Sequence, residues 1–170
     1  REETVRRILC ISVLAITPTV YAATAASSSR VAAAFRQMQS LTGQWEGTDG
    51  HGRKVKSTFQ MIAGNTAVME TLYPPEMEAM VTLYSVDGNT ISLMHYCPTN
   101  NQPHMRAIPP AGAVKSLVFE FQNAGNLPNL AVGHEYRLVL DFQDKDHIVE
   151  HWTWRENGKD SEMIYRLQRR

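Results

Sequence analysis

The fold this sequence predicts is mainly β: an antiparallel meander barrel of eight to nine strands behind a short N-terminal helix. Three observations point to it. From Gln44 onward apolar residues recur with a period of two. Turn formers such as Gly64-Asn65, Pro74-Pro75, Asp87-Gly88-Asn89, Gly125-Asn126 and Asn157-Gly158-Lys159 divide the chain at short intervals. No link between strands has room for a crossover helix of about a dozen residues, which disfavours a parallel α/β fold. A meander with short links must protect its edges, and closure into a barrel does this most completely.

Residues 1–22 read as a signal peptide. Arg6 and Arg7 precede the apolar run Ile8–Ile16, and Val20-Tyr21-Ala22 supplies the small residues of a cleavage site. The run is short for a membrane span and Pro18 interrupts it, so no retained anchor is expected and the mature chain is placed in the periplasm or outside the cell. Residues 23–39 read as a linker followed by a short helix over 31–39. In that helix Val31, Phe35 and Met38 share one side, and Ser28 or Ser29 serves as the cap. Residues 40–170 form one domain, long enough to bury its own core.

Strands are expected near 44–49, 53–62, 66–73, 78–86, 90–97, 114–122, 133–143, 147–156 and 161–168. Asp87-Gly88 and Asn157-Gly158 are hairpin signals, because those residues reach the positive φ that tight turns require. The segment from Pro98 to Pro103 reads as a loop folded over the barrel mouth.

Charge and cysteine usage exclude several functions. The 17 basic and 17 acidic residues balance without forming a block, which argues against nucleic acid as a partner. Of the two cysteines, Cys10 lies in the leader, so Cys97 has no partner within the mature domain.

Candidate functional residues follow from strand alternation. His95 and Cys97 share a face, two residues apart, and could supply two soft ligands or an imidazole-activated thiol; a metal would need a third ligand from elsewhere. The loop after them would bring His104 and Arg106 near. Glu70 lies on the same side as Val68 and Leu72, and Glu150 on the same side as Ile148 and Trp152. If those faces point inward, both carboxyls need partners, for which Arg106, Arg137 and His95 are available. His147 and His151 would suit a metal on a helix, but on a strand they stand about 13 Å apart, too far to share an ion. His51 reads as a turn residue, and the numerous methionines read as packing residues rather than ligands.

Gly43-x-Trp45 at the head of the first strand, with Arg166 in the last, resembles the lipocalin and wider calycin pattern. That resemblance implies that the terminal arginine packs over the tryptophan. Gly43-Gln44-Trp45-Glu46-Gly47, Ala67–Leu72, His95-Tyr96-Cys97 and Asn101-Gln102-Pro103 are similar to a family of uncharacterised secreted bacterial proteins with a calycin-type domain, which implies no established activity. Nitrobindin-like haem barrels share the start at Gly43, Trp45 and Gly47, but their haem-ligating histidine has no match here, so no cofactor is expected.

Three functions fit these readings. The first is a secreted, non-enzymatic barrel binding a small, mostly apolar ligand through Glu70, His95, Cys97, His104, Arg106, Glu150 and Trp152. The second is a filled barrel acting as an accessory or interaction subunit with a protein partner. The third is a small isomerase, hydrolase or cyclase using Glu70, His95 and Arg106.

Overall fold

A computed structural model describes residues 19–170. The leader expected over residues 1–22 lies outside the described residues, apart from its last four positions. Those begin helix α1, Thr19–Gln39. Residues 23–30, expected as a linker, are helical, and Ser28 and Ser29 lie inside the helix rather than capping it. The segment is rich in alanine, the strongest helix former, and small residues suit a helix as well as a linker. Val31, Ala34 and Met38 are buried, together with Leu41 just beyond the helix end. Spacings of three, four and three put them on one stripe, which α1 lays against the barrel.

Ten strands follow: β1 (Gly43–Asp49), β2 (Lys54–Ile62), β3 (Ala67–Tyr73), β4 (Met80–Asp87), β5 (Thr90–Tyr96), β6 (Gln102–Ala107), β7 (Ser116–Gly125), β8 (His134–Phe142), β9 (His147–Glu156) and β10 (Lys159–Arg169). Each pairs antiparallel with its sequence neighbours, and β1 pairs with β10 to close the barrel. The added strand relative to the expected nine is β6, which replaces the end of the predicted mouth loop. Its Pro103, Met105 and Ala107 are buried in alternation with outward residues. Pro103 is tolerated because it is only the second residue of the strand, before a register shift between His104 and Met105 against β7.

Turn chemistry and one close approach shape the barrel. Asn157 and Gly158 both take positive φ, 51° and 72°, in the two-residue link between β9 and β10. At the seam, a Cβ on Gly47 would collide with the backbone carbonyl of Arg166, so β1 and β10 can meet there only if residue 47 is glycine.

The interior is packed with Trp45, Phe59, Tyr84, Ile91, Leu93, Met105, Phe119, Leu138 and Leu140, none more than 1% exposed. One end of the barrel carries the links β2–β3, β4–β5, β6–β7 and β8–β9, together with the start of β1 that follows α1. The links β1–β2, β3–β4, β5–β6, β7–β8 and β9–β10 surround the other, open end. Among the described residues no helix is long and apolar enough to cross a membrane.

Candidate functional site

Alternation along β3 and β9 turns both Glu70 and Glu150 inward, where neither is exposed to solvent. Glu70 is wrapped by donors from neighbouring strands. Ser57 Oγ on β2 donates to its Oε1 at 2.8 Å and Tyr84 OH on β4 donates to its Oε2 at 3.0 Å. Trp152 Nε1 donates to Glu150 Oε2 at 3.0 Å from two residues along the same strand. Burial pushes both carboxyls above the usual range, and the adjacent Glu70 charge pushes Glu150 well above it. Two carboxylates cannot both ionise so close together at this depth, so the pair retains a proton. The same burial, with the charges of Glu70 and Glu150, raises the Tyr84 phenol and keeps it a donor.

His95 extends this polar layer. Glu70, Thr82 and His95 are successive cross-strand partners on β3, β4 and β5. Thr82 Oγ1 and His95 Nδ1 are 2.9 Å apart, and the imidazole lies 4.7 Å from the Trp152 indole between ring centroids. Burial lowers its pKa to about 4, so the ring is neutral; its Nε2 has no hydrogen-bond partner among the described residues. Glu70, Glu150, His95 and Trp152 thus lie in one inward-facing layer, the direction that alternation by itself left open.

The other expected members are not. Arg106 points outward, 43% exposed, and pairs with Asp87 at 2.6 Å. Because residues 102–107 form a strand and not a loop, alternation sends Met105 into the barrel and Arg106 away from it. This removes Arg106 from any site with Glu70. His104 also lies on the outer face, where Nε2 is 2.9 Å from Ser92 Oγ. Arg137 pairs outside with Glu120. Cys97 is half-buried at the open end. His147 and His151 each face carboxylates on the outer surface. Among the described residues no three His, Cys, Asp or Glu side chains are placed to hold a metal, so the His95 and Cys97 pair gains no third ligand.

The closure contact is made by a different arginine. Arg169, the direct cross-strand partner of Trp45, sets its guanidinium 4.4 Å from that ring and donates to the carbonyls of Thr42 (2.9 Å) and Ser40 (2.7 Å). Arg166, expected in this role, faces solvent. Trp45 Nε1 completes the arrangement by donating to the Leu41 carbonyl at 2.7 Å.

At the open end two cavities share Met77 and Met163. One, of about 290 Å³, lies among Asp49, Arg53, Pro74, Pro75 and Tyr165. The other, of about 300 Å³, is bounded by Met80, Cys97, Glu135 and Trp154. Glu135 is only 2% exposed, its Oε2 has no hydrogen-bond partner, and burial pushes its pKa up to about 8. Tyr165 on β10 is raised by burial, then by the charges of Glu135, Glu150 and Asp49. Sequence reasoning missed Glu135 because β8 breaks its alternation: His134 and Glu135 are both buried, beside a register shift between Glu135 and Arg137. Ser57, Thr82 and Tyr84 were findable, since each alternates with outward residues on strands that were expected.

No family model and no curated protein matches this chain. Among solved structures it is similar to that of Rv2717c from M. tuberculosis, with a TM-score of 0.60, 13% identity, and coverage of 81% of this chain and 97% of that one. At that identity the likeness shows a shared barrel fold.

Proposed function

We propose that this chain is a filled barrel that acts through its open end, as an accessory or interaction module of a larger extracytoplasmic assembly. The observation that carries this reading is the packed interior. Trp45, Phe59, Tyr84 and Phe119 fill the space a carrier barrel would leave for a ligand, and neither cavity at the open end is lined by Glu70, His95 or Glu150. The sealed polar layer serves packing in this reading, since most of its groups already have partners inside the protein. Of the eight large apolar side chains left in solvent, five lie around the open end (Tyr73, Met77, Tyr96, Leu130 and Val132), while Val86 and Ile108 lie at the opposite end and Val118 on β7. Export of the mature chain and kinship with calycins belong to the same proposal, supported by the leader pattern and by Gly43, Trp45 and Gly47.

Photocrosslinking in the native cell tests it. A photoreactive residue replacing Tyr73 or Tyr96 should give one discrete protein adduct, common to both positions, while the same residue replacing Thr90 at the opposite end gives none. Adducts equal from both ends, or none from the open end, would overturn the proposal.

A further inference from the structure

The cavity bounded by Met77, Met80, Cys97, Glu135, Trp154 and Met163 combines features that the sealed layer lacks. It opens to solvent, its volume of about 300 Å³ suits a small molecule, and no basic side chain lines it. Apart from Glu135 and the hydroxyls of Thr99 and Ser161, its lining is thioethers, a thiol and an indole, which are polarizable surfaces that attract a cation or an apolar body. Into this setting β8 brings the Glu135 carboxyl, 98% hidden from solvent with Oε2 unpaired. Buried carboxyl oxygens are almost always hydrogen-bonded; Glu150 Oε1 is unpaired as well, but of the two acids it is Glu135 that borders a cavity through which a donor from outside can enter. Trp154 is the direct cross-strand partner of Glu135, so the indole and the carboxyl lie side by side at the same wall.

We infer that this cavity binds a small organic amine with an apolar body, the nitrogen donating to Glu135 and the body lying against Trp154 and the methionines. An anion is disfavoured, because no Lys, Arg or His lines the cavity and its one carboxyl can only add negative charge. A neutral apolar molecule would leave Glu135 Oε2 unpaired. An amine satisfies the carboxyl, places positive charge against the indole, and uses the apolar wall. The elevated proton affinity of Glu135 agrees with this geometry, since the site lacks a resident cation to stabilise the carboxylate.

The test is a calorimetric titration of the whole protein with three probes of one shape, benzylamine, benzyl alcohol and benzoate, in mildly alkaline buffer. Benzylamine should bind at least tenfold more tightly than benzyl alcohol, with benzoate weakest. Glu135→Gln should weaken benzylamine at least tenfold while leaving benzyl alcohol within twofold. Thr99→Phe, an exposed loop change that puts a ring into the cavity and leaves Glu135 and the core residues in place, should abolish binding of both. Equal affinity for the three probes, no heat from benzylamine at millimolar concentration, or amine binding unmoved by Glu135→Gln or by Thr99→Phe would each overturn the inference.

Discussion

The barrel buries carboxyl groups in two places and gives them different surroundings. In the central layer Glu70 receives hydrogen bonds at both oxygens, from Ser57 and Tyr84, and Glu150 receives one from Trp152 while its other oxygen, Oε1, is buried without a partner. Near the open end Glu135 is almost as deeply buried and its Oε2 has no partner, but the residue borders a cavity lined by Met, Cys and Trp side chains with Thr99 and Ser161. Burial alone therefore does not mark a functional acid. A satisfied acid helps select one packing of the core, whereas an unsatisfied acid beside open space costs stability and keeps a binding capacity in reserve.

The largest expected effect breaks or confirms this contrast directly. Glu70→Ala strands two buried hydroxyl donors beside Glu150; at about 1–3 kcal/mol for each orphaned group, it should cost roughly 3–5 kcal/mol. Glu135→Met removes an orphan and supplies an apolar side chain, and should stabilise by about 1–3 kcal/mol. Urea unfolding reads both as shifts of the midpoint at unchanged slope. If the two substitutions moved stability in the same direction, the distinction between the two carboxyl regions would be void.

A smaller effect sharpens the contrast through pH. Glu135, raised to about 8 in the folded protein from 4.5, gives stability that is fully present below pH 4.5 and lost as pH rises through about 8. His95 works the other way: lowered to about 4 from 6.5, it gives stability that is present above pH 6.5 and lost as pH falls towards 4. The two oppose each other between pH 4.5 and 6.5. Above 6.5 only the carboxyls act, and the raised Glu70 and Glu150 add to the same trend. Stability should then fall towards pH 8, by up to about 1.4 kcal/mol per pH unit for each proton involved. In Glu135→Gln the decline should be shallower by the Glu135 share, as denaturation midpoints across a pH series would read. An unchanged slope in that variant would show that Glu135 is not the buried acid described.

Much of this was legible in the chain. Alternation placed Glu70 with Val68 and Leu72, and Glu150 with Ile148 and Trp152, so the inward direction of both followed once the strands closed around a core. The errors share a cause, which is that the pattern is read locally while register and irregularity are not. Pro98 and Pro103 disguised β6, and with the strand missed Arg106 was sent to the wrong side of the wall. The bulge in β8 hid Glu135, because adjacent residues there are both buried. Alanines before residue 31 suit a linker and a helix equally, and there the chain continues the helix whose buried stripe begins at Val31. The arginine over Trp45 depended on the register of β1 against β10, which accumulates through every link of the meander.

That seam carries the smallest and most discriminating prediction. Arg169 stacks on Trp45, donates to two carbonyls at the end of α1 and the start of β1, and lies 3.4 Å from Asp146, all at one joint between helix and barrel. A cation over an aromatic ring at a partly exposed site contributes about 0.5–1 kcal/mol, and the charge-assisted hydrogen bonds add a comparable amount after competition with water. Arg169→Ala should therefore lower stability by about 1–2 kcal/mol, whereas Arg166→Ala, on the outer face three residues away, should leave the thermal midpoint where it is. Arg169→Lys separates charge from shape. A lysine keeps the cation but lacks the planar fork that reaches both carbonyls, so it should recover only part of the loss. If Arg166→Ala proved the more damaging of the two, the pairing of Trp45 with Arg169 would be wrong, and the register closing the barrel would have to shift with it.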